Sequence, residues 1–184
     1  MKISEQELSE LLSYKQQSNE DIVRYKELIK HQLLKSNKII YLLNNKELEE
    51  NEAENDEYFN VNILPYYLIK PTQTDVQNFI CYEIQFNEIP RNNPGMKHTE
   101  IVFHILCEQK NIVEQKTGIA RHDLIAAVLI DMFHGTNIFG NQIVLVSNEP
   151  SVVDTDYATR TLVFEQQTNN SLKRLNGTTF NLRS

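Results

Sequence analysis

Hydrophobic and polar positions change rhythm along the chain, and the change divides it. In the first third the apolar residues recur every three or four positions. Ser4 followed by Glu7 has the spacing of a capping box, and Leu8, Leu11 and Leu12 then form a short apolar face. Ser18 with Asp21 opens a second, stronger helix whose face is Ile22, Tyr25, Ile29 and Leu33, with charges between. Ser36-Asn37 interrupts it. A third apolar run follows over 38–45, around Ile39, Ile40, Leu42 and Leu43.

From Tyr58 the period is two. Val61, Ile63 and Leu68 lie in an extended region that Pro65 and Pro71 confine to an edge or an irregular crossing. Ile80, Tyr82, Ile84 and Phe86 alternate with Cys81, Glu83 and Gln85, the pattern of a half-buried strand. The stretch 89–97, with two prolines, a glycine and two asparagines, reads as a loop. Ile101, Phe103, Ile105 and Cys107 give the next strand. Residues 121–134 are helical, with Leu124, Ile125, Val128, Leu129, Met132 and Phe133 on one side, Asp123 in the first turn and Gly135 at the left-handed stop. A turn at Gly140-Asn141 leads to a short buried strand over 143–146. A last strand over 157–166 points Leu162 and Phe164 inward, with Arg160 on the same alternation. Helices followed by strand, strand, helix, strand, strand imply an α+β fold, a small and mostly antiparallel sheet with one helix packed across it.

Composition sharpens this outline. The 184 residues are 40% hydrophobic and 23% charged, enough for one domain with an appendage and a real core. No apolar run approaches the ~18 residues of a membrane span, and the polar N-terminus lacks the apolar run of a signal peptide, so a cytoplasmic protein with no membrane partner is expected. The net charge of −7 is uneven. Glu47, Glu49, Glu50, Glu52, Glu54, Asp56 and Glu57 stand against the single Lys46, and like charges at this density predict an exposed linker over 46–57. After Glu165 the chain has no acid, and Lys173, Arg174 and Arg183 make its tail basic. A broad cationic surface for gripping nucleic acid is missing. The resulting division is a helical arm over 1–45, an acidic linker over 46–57, an α+β domain over 58–168 and a polar extension over 169–184. Twenty asparagines carry no functional message by themselves.

Candidate chemistry is sparse. His98, His104, His122 and His134 match no metal-ligand spacing such as HExxH. Cys81 and Cys107 sit in strand-like runs as buried thiols. No nucleophile elbow and no phosphate-cradling glycine loop occurs, so neither catalytic residue nor cofactor nor metal is expected. One enzyme pattern has the right outline: Asp75 before one strand and Glu108-Gln109-Lys110 at the end of the next, as in Mg²⁺-dependent nucleases of the PD-(D/E)xK type. Glu114-Gln115-Lys116 repeats the short motif six residues on, and the surrounding charge is wrong for DNA.

The segment 117–133, Thr-Gly-Ile-Ala-Arg-His-Asp-Leu-Ile-Ala-Ala-Val-Leu-Ile-Asp-Met-Phe, with Gln-Ile-Val-Leu-Val at 142–146 and Arg-Thr-Leu-Val-Phe-Glu at 160–165, resembles the tail terminator (tail completion) proteins of tailed bacteriophages. The matching residues are Arg121 and Asp123 at the helix start and Arg160, Leu162 and Phe164 in the last strand, within about residues 58–168. The resemblance implies a structural virion protein with no active site. It would form a ring, commonly six-fold, that caps the tail tube and presents a surface to the head completion (stopper) protein, with DNA only as passing cargo. Its place would be the neck of the virion, after assembly in the host cytoplasm. Arg121, Asp123, Arg160, Tyr25 and Ile29 are then candidates for contacts between subunits, and the seven acids of 47–57 for the wall of a channel through which DNA slides without sticking. The helical first 45 residues and the proline-interrupted segment 63–71 exceed the compact form of that family. They would equally suit a head–tail stopper or adaptor at the same junction.

Overall fold

The computed structural model describes residues 3–13, 21–67, 77–86, 96–152 and 156–169. Five strands form one sheet: β1 (Ile63–Leu64), β2 (Phe79–Phe86), β3 (Met96–Glu108), β4 (Val144–Val152) and β5 (Tyr157–Asn169). Their spatial order is β1-β2-β3-β5-β4, with β1 parallel to β2 and every other neighbour antiparallel. The helices are α1 (Glu5–Ser13), α2 (Asp21–Lys35), α3 (Asn37–Leu43), α4 (Lys46–Glu50) and α5 (Arg121–Phe133). The protein is α+β with a mostly antiparallel sheet.

Register explains where the core lies. Ile80 pairs with Ile105, Tyr82 with Phe103 and Ile84 with Ile101 between β2 and β3. Between β3 and β5, Phe103 faces Leu162 and Ile101 faces Phe164. Because side chains alternate along a strand, all of these fall on one face. The helices close that face. Tyr25, Ile29 and Leu33 of α2, Ile39, Leu42 and Leu43 of α3, and Ile125, Leu129 and Phe133 of α5 share one buried cluster with the strand residues. Aromatic rings knit its centre: Phe103 lies 5.2 Å from Phe133 and 5.8 Å from Phe164, and Tyr25 lies 4.9 Å from Phe139 (centroid to centroid). Each such ring stabilises the fold by about 2–3 kcal/mol through the area it removes from water.

Several expectations change. The first 45 residues do not form an arm: α2 and α3 build the core, while α1 keeps Leu8, Leu11 and Leu12 exposed and buries nothing. Residues 46–57 are not a bare linker. Asn45 accepts the N–H of Leu48 and caps α4, Leu48 packs on the core, and the Asn55 amide donates to the Leu34 carbonyl at 2.8 Å. A 3-10 turn, Asn55–Tyr58, closed by Glu54 and Glu57 in a reciprocal cap, then delivers Tyr58 into the interior. The run 143–146 is not a buried strand: Ile143 is buried just before β4 and Leu145, opposite Phe164, packs on the core, but Val144, opposite Glu165, falls on the face away from the helices, and Val146 is exposed at the bulge of this edge strand. Met96 and Lys97, read as loop, begin β3. Ser18, the rest of the 89–97 loop and residues 170–184 lie outside the described residues.

Candidate functional site

The richest polar arrangement sits where β3 hands over to α5. After Glu108 the chain makes a 3-10 turn over Gln109–Asn111 and a tight loop to Arg121, in which Gly118 takes φ +71°. That loop is wrapped around one carboxylate. Glu114, 2% exposed, accepts the Tyr41 hydroxyl at 2.7 Å and the backbone N–H groups of Lys116 at 3.0 Å and Thr117 at 2.8 Å. These donors, the tyrosine foremost, hold its pKa down at about 2. The same bond pushes the Tyr41 hydroxyl above its ordinary value. Lys116 places its ammonium 5.2 Å over the Tyr41 ring.

Arg121 opens α5 and is only 7% exposed. Its N–H reaches the Ile112 carbonyl at 2.6 Å and its Nε the Asn111 carbonyl at 3.1 Å. Asp123, two residues further in the first turn, meets Arg160 Nη2 at 2.6 Å, and Arg160 Nη1 donates to Asn148 at 2.7 Å. The register Ile105 opposite Arg160 puts this arginine on the helix-covered face, beside the start of α5. His122 Nε2 lies 3.4 Å from the Asp123 carboxylate, and burial pushes its pKa down while Asp123 opposes the shift. Two of the candidate contact residues, Asp123 and Arg160, are thus brought together within one chain. Arg121 stands on the loop side of the same helix end.

Tyr25 and Ile29 are elsewhere. They are 3% and 0% exposed, Tyr25 donating its hydroxyl to the Phe139 carbonyl at 3.2 Å. They face their own sheet, and as subunit contacts they are corrected: a side chain inside the core offers nothing to a neighbour. The seven acids Glu47, Glu49, Glu50, Glu52, Glu54, Asp56 and Glu57 are all exposed.

A polar seam beside this corner escaped the sequence reading. Asn45, Asn62 and Asn78 are buried at 3%, 0% and 3% exposure. Asn45 donates to Asn62 at 2.7 Å, Asn62 to the Asn78 carbonyl at 2.9 Å, and Asn78 to the Leu43 carbonyl at 2.9 Å. Asn78 also accepts the Glu108 N–H at 3.0 Å, so the seam ties α3 and α4 to the ends of β2 and β3. The available signal was Asn44-Asn45 directly after an apolar helix. Asn44 ends α3 at φ 50° and Asn45 caps α4.

Two half-open cavities flank the seam. One, of about 280 Å³, is lined by Asn45, Gln77, Asn78 and Glu108 among others. The second, of about 270 Å³, is lined by Tyr41, Lys46, Glu114, Lys116 and Arg121 among others. Of the nuclease pattern, Glu108 accepts the Asn111 amide at 2.8 Å, and Asp75 lies outside the described residues. No group of three or more His, Cys, Asp or Glu among the described residues is placed to hold a metal ion. Cys81 and Cys107 are buried and not joined in a disulfide, and burial pushes the Cys107 thiol up to about 12. Among the described residues no helix is long and apolar enough to cross a membrane.

No curated protein matches the chain. A family profile described as YomW matches residues 5–166. That span takes in α1 through most of β5, and the chain belongs to the YomW family, a phage-related family.

Proposed function

We propose that this member of a phage-related family is a structural protein of a tailed-phage neck, a tail terminator without a catalytic step. Copies of the chain form a ring, six-fold by the resemblance of 117–133, 142–146 and 160–165 to such proteins. The ring caps the tail tube and offers its other side to the head completion protein. In the virion it sits at the neck, and DNA passes through it as cargo.

The observation that carries this reading is the imbalance of the sheet. One face is sealed by α2, α3 and α5. On the other, Val102, His104, Thr161 and Val163 stay half-exposed with no described helix over them. β4 keeps a nine-residue outer edge without a strand partner among the described residues. A bulge between Leu145 and Ser147 and the proline at 150 break that edge, so it resists indiscriminate strand addition while Val144 and Val146 remain available for shape-specific contact. A subunit of a closed ring needs two unlike surfaces that meet head to tail, not a pocket. The exposed acids of 47–57 suit a channel wall, since a duplex adheres to cations and slides past anions.

Purified tail tubes mixed with the protein and viewed in negative stain test the assignment. A disc at one tube end, absent without the protein, is the expected result. Binding to head vertices and not to tubes moves the chain to the stopper or adaptor position. Bare tubes and bare heads contradict a neck role.

A further inference from the structure

The cavity of about 270 Å³ between α3, the start of α4 and the loop into α5 has a cationic wall. Lys46, Lys116 and Arg121 line it against the single acid Glu114. We propose that this cavity is a receptor for an oxyanion, a carboxylate or phosphate group.

Some of the charges around the cavity are already matched and one is not. Glu114 accepts three hydrogen bonds, from Tyr41, Lys116 and Thr117, none of them from the Arg121 guanidinium. Arg121 is more than nine-tenths buried, yet its Nε goes to a neutral carbonyl, and its Nη1 has no acceptor among the described residues. A buried guanidinium without a hydrogen-bonded anion is costly, and an anion arriving in the cavity offsets that cost. The helix adds to it. α5 spans 13 residues behind its N-cap Ala120, whose methyl cannot cap it; the N–H groups of Arg121 and Asp123 already donate to the Ile112 and Ala120 carbonyls, so the helix contributes the positive end of its dipole rather than free donors. Asp123, which could balance the positive helix end, is engaged by Arg160. Lys116 lies over the Tyr41 ring at 5.2 Å, and Asn44 and Gln115, whose amides can donate, are among the lining residues. Glu47 and Glu49 lie close by on α4 and temper the field, which favours a site that takes a compact, fully charged group over one that attracts long polyanions.

The inference stands apart from the ring reading, since a monomer could bind the same group. The full-length chain, labelled with ¹⁵N, is titrated near neutral pH with sodium phosphate, sodium acetate and sodium chloride at matched ionic strength. Saturable shifts confined to residues 44–46 and 111–121 with phosphate or acetate, and not with chloride, are expected. Tighter saturation by acetate identifies an acidic side chain as the natural occupant, and tighter saturation by phosphate identifies a free or esterified phosphate. Arg121→Met is expected to abolish the shifts. Should that variant misfold, the double variant Lys46→Glu, Lys116→Glu changes only exposed side chains and is expected to weaken binding by roughly tenfold or more. Shifts that follow ionic strength alone, or binding unchanged in the double variant, overturn the proposal. A chain that binds the anion but never forms rings leaves the receptor standing and removes the ring.

Discussion

On the helix side of the sheet, Ile80, Tyr82, Ile84, Ile101, Phe103, Ile105, Leu162 and Phe164 are all buried and all touch one cluster; on the far side the neighbouring positions alternate Val102, His104, Thr161 and Val163 with Glu83, Gln85, Glu100 and Glu165. A small second cluster, Leu64, Phe79, Cys81 and Leu106, closes one end of that far side, and Tyr67 lies over His104 at 4.6 Å. The remainder is half-exposed. The two N-terminal helices repeat the contrast: α2 spends its apolar face on the core, whereas α1 spends none of its own. Among the described residues, the buried apolar side chains are concentrated on the helix side of the sheet.

The largest effect should come from removing residues 1–45. That deletion strips α2 and α3 from the sheet and should yield an aggregating chain, while deletion of 1–13 alone should leave a soluble, cooperatively unfolding protein; solubility and thermal melts separate the two. Equal behaviour would erase the contrast between the helices. Next, Phe103→Ala should cost about 3–5 kcal/mol in denaturant unfolding, because it opens a cavity among Phe133, Phe164 and Tyr82. Val102→Ala, on the other face of the same strand, should cost about 1 kcal/mol or less. In the seam, Asn62→Ala leaves both Asn45 and the Asn78 carbonyl without their partner and should cost about 2–3 kcal/mol.

The smallest effect concerns acid. Glu114 titrates near 2 in the folded chain against an ordinary 4.5, so its contribution is present above the ordinary value and is lost as pH falls from 4.5 toward 2. Glu114→Gln should therefore lower the melting temperature at neutral pH and flatten its fall across that acid window. Parallel melting curves for the two proteins between those limits would mean that the carboxylate does not hold the loop.

How much of this was legible in the sequence follows from distance along the chain. Local codes read well. Ser4 and Glu7 close their box through bonds of 2.8 and 3.2 Å, the break at Ser36-Asn37 separates α2 from α3, Gly135 takes φ 76° just past α5 although the extended His134 is what ends the helix, and the alternation of β2 and β3 separates the two faces. Contacts between distant segments did not. Tyr41 and Glu114 are 73 positions apart, and neither the helix period nor the loop composition points from one to the other. Arg160 could be placed on its strand face but not opposite Asp123. The acidic run 46–57 misled because repulsion among exposed charges was weighed without the caps at Asn45 and Glu54 or the Asn55 tie to α2. The Val-Leu-Val of 144–146 misled because an apolar run looks the same in a central strand and at an edge. Buried asparagines are the general case: a polar residue shows its role only once its partners are folded around it.

Native mass measurement of the purified full-length chain tests the central claim most directly, that the uncovered face and edge exist to meet other copies. A closed ring, seen as a discrete multiple of the 21.5 kDa subunit with six as the expected number, is the result this account predicts. A single species at the subunit mass, unchanged up to concentrations of about 100 µM, would contradict it.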